Sequence, residues 1–246
     1  MFPLRDDNPT STPAVVTWAI VGLNLAGGVF VQGAGMGDSV AASVCNYGLI
    51  PGELLLRVKP GSGFDMGNGM ACVMDAGRAP LHLLYSMFLH GSWGHILGNL
   101  WFLYIFGNNV EEAFGHVRYA IFYLASGLAA AALQVFAEPS SMIPMVGASG
   151  AISGVLGAYL VLYPRARVHN LVFLGFWITT IRLPAWVMLG YWIALQVLGG
   201  VMARSGEGGT AFWAHIGGFV VGILMGFVMA MPIKRAQRWA PPPEFG

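Results

Sequence analysis

Charged residues are scarce in this sequence. Asp, Glu, Lys and Arg make up 9% of its 246 residues, whereas a soluble domain carries about 25%. Hydrophobic residues make up 56%, and the mean hydropathy is +0.66. Water is therefore not the main solvent of this chain. The net charge of +1 also gives no reason to expect a nucleic acid or an acidic protein as a partner.

Acidic residues are absent from every long hydrophobic run. Six runs approach the length of about 20 residues that crosses a bilayer, and they cover residues 14–32, 90–108, 118–137, 149–163, 184–203 and 212–231. The sequence therefore predicts an all-α membrane protein, a six-transmembrane-helix bundle with a long, partly embedded first loop. The boundaries expected are a cytoplasmic N-terminal segment at 1–13, a six-helix domain at 14–231 with its first external loop at about 33–89, and a cytoplasmic, disordered tail at 232–246.

The positive residues are distributed unevenly between the two sides of the predicted bundle. With the N-terminus inside, the external side keeps Arg57, Lys59, Arg78 and Arg204. Eight positive residues would then lie on the inner side, and this excess over the external side follows the positive-inside rule. Both termini are therefore predicted to be cytoplasmic, in a multi-pass protein of a prokaryotic cell membrane. The cytoplasmic residues in this arrangement are Arg5, Arg118, Arg165, Arg167, Arg182, Lys234, Arg235 and Arg238.

Two long connections separate hydrophobic runs. Residues 33–80 are rich in Gly and Pro, and we expect them to be irregular and to lie at the membrane surface. Residues 164–183 contain an apolar stretch that is too short to span a bilayer. An interfacial helix or loop is expected there.

Cysteines and metal-binding motifs are few. The only two cysteines, Cys45 and Cys72, both fall in the first loop. A disulfide that closes this loop and two unpaired thiols are equally compatible with the sequence. No His-Glu-x-x-His string is present, so a zinc protease is disfavoured, and no pair of aspartates lies within a span. We expect no metal and no cofactor.

Two residues with the chemistry of a hydrolase open hydrophobic runs. Ser149, in the string Gly147-Ala148-Ser149-Gly150, opens the fourth run, and His215 opens the sixth. Successive spans alternate in direction, so the fourth and sixth spans cross the membrane in the same direction. The first residues of these two spans therefore lie at the same membrane depth. A serine hydroxyl needs a base to take its proton, and an imidazole supplies one. Because no carboxylate lies within a span, a Ser149–His215 dyad is predicted.

Candidate donors to a developing oxyanion occur at the same depth. His95 and Asn99 are four residues apart in the second run, so they share one helical face. Ser149 begins a helix, where its backbone N–H has no helical partner. Gly147 and Ala148 precede it, in the stretch expected to contact the oxyanion and the substrate.

Small residues repeat every four positions on the two spans that carry Ser149 and His215. This pattern is typical of close helix packing in membranes, and packing the two stripes together would bring the serine beside the histidine. The stripes are Gly150, Gly154 and Ala158 on the fourth span, and Gly218, Gly222 and Gly226 on the sixth.

Each of these features also has a structural interpretation. A single serine in a membrane helix usually serves packing, and a single His or Asn usually bonds a neighbouring helix. Asn24, Gln134 and Gln196 are interpreted as interhelical contacts of this kind. Only the joint occurrence of several polar groups at one depth favours catalysis. The remaining histidines, interpreted as structural or interfacial, are His82, His90, His116 and His169.

At these residues the chain resembles the rhomboid family of intramembrane serine proteases. The resemblance rests on the strings HGSWGHILGN at 90–99, GNNVE at 107–111, GASG at 147–150 and AHIGG at 214–218, followed by Gly222. It implies a bundle of rhomboid type with a water-filled cavity open to the external side. Ser149 would be the nucleophile and His215 the general base, with His95 and Asn99 in the oxyanion hole.

The resemblance also implies how such a protein would act. It would be a serine endopeptidase that cleaves transmembrane segments of other membrane proteins, with the lipid bilayer as its other partner. The fifth span and the loop before the sixth would form a gate for the substrate. An alternative is a catalytically silent rhomboid-like protein that binds membrane clients. A transporter is disfavoured, because ion-coupled carriers usually hold carboxylates within the bundle. The oligomeric state does not follow from the sequence.

One position departs from the family pattern. Family members often carry an aromatic residue four positions after the serine, where it stacks on the catalytic histidine, and this chain has Ser153 there. Trp213 and Phe212 are the candidates to support the imidazole instead. Otherwise the dyad is held less firmly.

Overall fold

The computed structural model describes residues 1–36, 38–67, 70–75, 80–175, 177–203 and 209–239. Within them the chain is mostly helical, as predicted. The helices are α1 (Val15–Ala26), α2 (Ser39–Tyr47), α3 (Pro51–Leu54), α4 (His82–Tyr85), α5 (Trp93–Phe114), α6 (His116–Ala137), α7 (Ser149–Leu162), α8 (Ala185–Met202) and α9 (Phe212–Trp239). The strands are β1 (Phe2–Asp6), β2 (Gly63–Gly67), β3 (Met70–Val73), β4 (Arg167–Leu174) and β5 (Trp177–Pro184).

Three of the described helices are long and apolar enough to cross a membrane: α6, α8 and α9 over residues Phe212–Met229. Helix α7 and the segment Val15–Val31, which continues α1 through a short π-helix, are apolar but shorter. The six-span bundle therefore stays a prediction. Helix α7 is the central element, since it contacts both α6 and α9 and is buried along most of its length.

The glycine stripes account for the close contact between α7 and α9. A Cβ atom built on Gly222 would lie 2.0 Å from the backbone oxygen of Gly154, and one on Gly218 would lie 2.0 Å from the oxygen of Gly150. Helix α9 therefore cannot carry a larger side chain at these two places without separating from α7. A Cβ built on Gly154 of α7 would instead lie 2.4 Å from the Cβ of Ser126 on α6. The predicted packing of the two stripes against each other is therefore what the structure has.

The prediction of an all-α fold is wrong at the end of the bundle where α7 ends and α8 begins. Residues 164–183, predicted as an interfacial helix or loop, contain most of an antiparallel hairpin of β4 and β5, and β1 adds a third strand beside β4. The segment is rich in β-branched and aromatic residues on both sides of Gly175, whose φ of +61° suits a turn. This composition is typical of a β-hairpin. The prediction of a helix or loop rests only on the length of the apolar stretch, which is too short for a span.

The N-terminal segment is a structured part of this sheet. The indole of Trp101 on α5 donates a hydrogen bond to the carbonyl of Pro3 at 2.7 Å. The imidazole of His169 on β4 bonds the Asp7 carboxylate at 2.9 Å, and this hydrogen bond lowers the pKa of Asp7. In the strand register His169 lies between Arg5 and Arg182. The sheet therefore gathers predicted cytoplasmic arginines at one end of the bundle, while Arg78 and Arg204, predicted to lie on the other side, are outside the described residues.

The first loop is also more regular than predicted. It contains α2, α3 and the hairpin of β2 and β3, in which Phe64 is paired with Cys72. Cys45 on α2 and Cys72 on β3 form a disulfide, with a Cα–Cα distance of 5.4 Å. Of the two states that the sequence left open, the structure thus has the bonded one. The helices, the hairpin and the disulfide therefore make the described part of this loop a folded unit, where an irregular connection was predicted.

An acidic residue of the 107–111 string is used to hold α1. The carboxylate of Glu111, buried near the end of α5, accepts hydrogen bonds from the backbone N–H groups of Val16 and Thr17, both at 2.8 Å. These are free donors in the first turn of α1. At the other end of the chain, α9 continues to Trp239, so the helix extends into the predicted tail at 232–246, and residues 240–246 lie outside the described residues.

Candidate active site

Ser149 and His215 are in direct contact. The Oγ of Ser149 lies 2.7 Å from the Nε2 of His215. This is an ordinary length for a hydrogen bond between a hydroxyl and a ring nitrogen. The two side chains come from α7 and α9, the pair of helices joined by the glycine stripes. A hydroxyl and a base in this geometry can exchange a proton, which is the requirement for an activated serine nucleophile.

The start of α7 is shaped by the residues before the serine. Ser149 is the first residue of the helix and Ala148 its N-cap. Gly147 has a φ of +128°, a backbone conformation that side-chain-bearing residues rarely adopt. The N–H of Gly147 donates to the carbonyl of Ser86 at 2.8 Å, which fixes this turn against the segment before α5. The chain thus enters α7 in a tight bend that presents the Ser149 side chain to His215.

His95 and Asn99 lie on the other side of this bend. A Cβ built on Gly147 would be 2.8 Å from the Nε2 of His95 and 3.6 Å from the Nδ2 of Asn99. The Nδ1 of His95 faces the backbone N–H of Gly91 at 3.4 Å and is therefore its acceptor. The proton of a neutral imidazole then resides on Nε2, which points towards the bend. The Asn99 amide nitrogen is buried and has no hydrogen-bond partner among the described residues.

Two donors therefore face the bend that precedes Ser149. Unpaired buried donors are costly unless a ligand or water satisfies them. The Asn99 amide nitrogen is therefore free to donate to an oxygen of a ligand or of water. The predicted set His95, Asn99, Gly147 and Ala148 is brought together beside Ser149.

For the serine protease that the sequence predicts, replacing Gly147 with alanine should lower kcat about 100-fold or more, the effect of losing one oxyanion donor. The new methyl group would meet the His95 ring nitrogen at 2.8 Å, and alanine would be strained at this φ. Cleavage rates of purified Gly147→Ala and the parent would measure the effect. Gly98→Ala on α5 is the matched control, because a Cβ there meets nothing within 4 Å. Equal loss in both variants would contradict the local explanation.

A third side chain bonds His215 at Nδ1, the ring nitrogen that does not face Ser149. The Oε1 of Gln196 on α8 lies 2.8 Å from the Nδ1 of His215. One turn earlier on α8, the indole of Trp192 lies against the imidazole, with ring centroids 5.9 Å apart and planes inclined by 33°. The sequence interpretation of Gln196 as an interhelical contact missed its link to the histidine. The available signal was a Trp and a Gln spaced four apart on one face of a span without charge.

Trp192, and not residue 153, provides the aromatic contact to the His215 imidazole. The hydroxyl of Ser153 donates to the backbone oxygen of Ser149 at 2.7 Å, and its side chain packs against Gly218. It does not support the imidazole. The predicted substitutes, Trp213 and Phe212, line the neighbouring cavity. The aromatic contact comes instead from a different helix.

Ser149 and His215 open into a cavity of about 460 Å³. Its wall includes His95 on α5, Phe64 and Met66 on the hairpin of the first loop, and residues at the start of α9. The cavity lies at the end of α7 opposite the arginine-bearing sheet. It is large enough to admit an extended stretch of peptide and water to the serine.

The Rhomboid domain family model matches residues 78–232, which is more than half of the chain. This chain belongs to the rhomboid family. The matched range contains Ser149, His215, His95, Asn99 and Gln196. Together with its apolar helices, this membership makes the chain a membrane protein.

Named relatives in the rhomboid family come from plants, fungi and parasites. The chain is 33% identical over 147 residues to RHOMBOID-like protein 4 of Arabidopsis thaliana, covering 60% of this chain and 33% of the relative. It is 26% identical over 171 residues to Rhomboid protein 1, mitochondrial, of Saccharomyces cerevisiae, covering 67% and 46%. It is 30% identical over 166 residues to Rhomboid-like protease 5 of Toxoplasma gondii, covering 64% and 17%. The chain thus spans less than half the length of each of these relatives.

Proposed function

We propose that this protein is an intramembrane serine endopeptidase, which hydrolyses peptide bonds in or near transmembrane segments of other membrane proteins. The observation that carries the proposal is the 2.7 Å contact between Ser149 and His215 at the edge of a cavity. The donor side chains of His95 and Asn99, which face the bend before Ser149, also support the proposal. One of the rhomboid relatives is named a protease, which also supports this reaction class.

The reaction follows from the positions of these groups. The Ser149 Oγ attacks the scissile carbonyl while its proton passes to the Nε2 of His215. The carbonyl oxygen becomes an oxyanion that accepts hydrogen bonds from the His95 Nε2–H, the Asn99 amide and the Ser149 backbone N–H. When the C–N bond breaks, His215 returns the proton to the leaving amine. A water molecule from the cavity then attacks the acyl-enzyme, with His215 again acting as base, and releases the second product.

The expected substrates are helices that unwind easily near one end. A peptide bond within a helix is shielded and its polar groups are already hydrogen-bonded. The serine therefore needs a locally extended backbone, which Gly, Pro and small residues favour. The bilayer is the second partner, since it delivers the substrate laterally.

The proposed topology has six spans, both termini in the cytoplasm and the cavity open to the external side. The arginine-bearing sheet and the cavity lie at opposite ends of α7, which supports this orientation through the positive-inside rule. A prokaryotic cell membrane is the proposed location. It does not derive from the relatives, because the yeast relative is named as mitochondrial.

The test is to measure labelling and cleavage in proteoliposomes. The wild-type protein is expected to react with a serine-directed fluorophosphonate and to cut a single-span substrate with glycine near its outer end. Ser149→Ala should not be labelled and should retain no more than a small residual rate of cleavage. Ser153→Ala is the matched control, because this serine lies one turn further along α7 and bonds only a backbone oxygen. Both activities should survive in it.

Cleavage by Ser149→Ala at the parental rate would overturn the proposal. A wild-type protein that binds the substrate but is neither labelled nor active would instead indicate a silent client-binding protein. Mass spectrometry of the product termini would identify the bond that is cut.

A further inference from the structure

We propose that Gln196 is a positioning residue for the reaction, which holds His215 in the tautomer and orientation that can take the serine proton. This inference rests on the proposed function, since it assigns a role within the same site. It replaces the two-residue dyad with a linear arrangement of Ser149, His215 and Gln196. The three side chains come from α7, α9 and α8.

The geometry specifies which atom carries the proton. For His215 to act as a base, its Nε2 must accept the Ser149 hydroxyl, so the ring proton must reside on Nδ1. The Nδ1 lies 2.8 Å from the Oε1 of Gln196, an oxygen that can only accept. A neutral imidazole that satisfies this oxygen therefore presents its lone pair to Ser149.

The orientation of the Gln196 amide is supported by its own second contact. Its Nε2 donates to the backbone oxygen of Trp192 at 3.4 Å. In the flipped orientation the amide oxygen would face that carbonyl oxygen, so two acceptors would meet. The amide nitrogen would also face the Nδ1 of His215 and stabilise the unproductive tautomer. The contact with Trp192 thus favours the productive arrangement.

The place of Gln196 is the one that a carboxylate takes in a Ser-His-Asp triad. Among the described residues no carboxylate bonds His215. The polar groups that face it are Ser149 from α7, His95 from α5 and Gln196 from α8, while Gln134 of α6 bonds the preceding backbone N–H at Ala214. A neutral amide orients the ring without adding charge, as asparagine does in Cys-His-Asn proteases. This choice suits a low-dielectric site, where an unpaired carboxylate would be costly.

Gln196 also makes the base dependent on the position of α8. This helix buries Ala185, Met188 and Leu189 near its start and Gly200 near its end, but no residue in the stretch between them is fully buried. Gln196 and Trp192 both lie in that stretch. Any outward movement of α8 would withdraw the hydrogen bond and the ring contact together. The catalytic histidine is therefore oriented only while the middle of α8 is docked.

The decisive experiment compares three substitutions on α8. Gln196→Met keeps the length of the side chain and removes the acceptor, whereas Gln196→Glu keeps an acceptor and adds charge. Leu195→Ala is the matched control, since the neighbouring Leu195 is 43% exposed. Each protein is assayed in proteoliposomes for kcat, KM and the rate of fluorophosphonate labelling of Ser149.

We expect Gln196→Met to lower kcat about 10- to 100-fold, the effect of losing a hydrogen bond to a group that becomes charged. KM should change less than about threefold, because Gln196 does not contact the substrate, and labelling should slow by the same factor as kcat. Gln196→Glu should recover to within roughly fivefold of the parent. The carboxylate favours the protonated imidazole, so the acid limb of its kcat/KM profile should move to higher pH. Leu195→Ala should match the parent throughout.

Parental kcat in Gln196→Met would overturn the role of Gln196, as would a loss confined to KM. If Gln196→Met does not fold, the pH profile of Gln196→Glu decides: an unshifted acid limb contradicts the contact with His215. Ser149→Ala distinguishes a failure of the proposed function from a failure of the role of Gln196. An active wild type that requires Ser149 but tolerates Gln196→Met leaves the proposed function standing, whereas an inactive wild type removes both.

Discussion

Replacing His215 with alanine is expected to lower kcat by about 10⁴-fold or more, and adding Ser149→Ala to this variant should lower it no further. The serine and the histidine act as one unit through their 2.7 Å contact. Once the base is absent, the hydroxyl is no better a nucleophile than water. Residues that act as a unit show such strong non-additivity in serine proteases. Cleavage rates of the parent, both single variants and the double variant form the cycle that measures it.

Residual activity should remain in all three variants. Donors at His95 and Asn99 can still stabilise an oxyanion formed by water attack, which typically leaves about 10³-fold over the uncatalysed rate. His82→Ala is the control for histidine removal, because His82 lies on α4 and contacts Tyr85. Additive losses in the double variant would mean that the serine and the histidine work independently. That result would be incompatible with the proposed mechanism.

Replacing Gly222 with valine is expected to destabilise the folded protein by at least about 3 kcal/mol, the upper range for overpacking a core. A Cβ at this position would lie 2.0 Å from the backbone oxygen of Gly154 and 2.8 Å from its Cα. Backbone atoms cannot move aside as a flexible side chain can, so α9 would have to separate from α7. Because these helices carry His215 and Ser149, activity should fall together with stability.

Thermal unfolding in detergent, monitored through the loss of soluble protein, would measure the change in stability. Gly22→Val on α1 provides the matched control, since a Cβ there meets nothing within 4 Å. The same β-branched residue is then introduced into an apolar helix without a steric conflict. A melting temperature that falls equally in both variants would show that helix propensity, and not the α7–α9 contact, determines the result.

The central pair could be predicted because its parts have local signatures. A serine after a glycine-rich bend at the start of an apolar run, and glycines at four-residue spacing on two runs, each define one face of one helix. Two faces of this kind have few ways to pack. The contact of Ser149 with His215 follows from that packing, whereas His95 and Asn99 share one face of α5 because they are four residues apart.

The sheet and the third member of the site were missed for physical reasons. Strand β1 pairs with β4, which lies far along the chain, and nothing in a short N-terminal segment reveals a partner at such a distance. The composition of the hairpin around Gly175 was a signal for strands, but the hydrophobic run suggested a surface helix or loop. Gln196 sits on a helix that is apolar on nearly all sides. Its spacing from Trp192 defined a shared face, but the sequence did not indicate which neighbouring helix that face meets.

The sequence by itself determined the chemical groups and the helix faces that carry them, because a helical period converts spacing into direction. It also determined family membership through the strings that surround Ser149 and His215. Only the tertiary structure decided how α8 is rotated, which strands pair and which aromatic ring supports the imidazole. These depend on contacts between segments distant in the chain, and local periodicity carries no information about such contacts. That is why Gln196 and Trp192 emerge as part of the site only when α8 is docked beside α9.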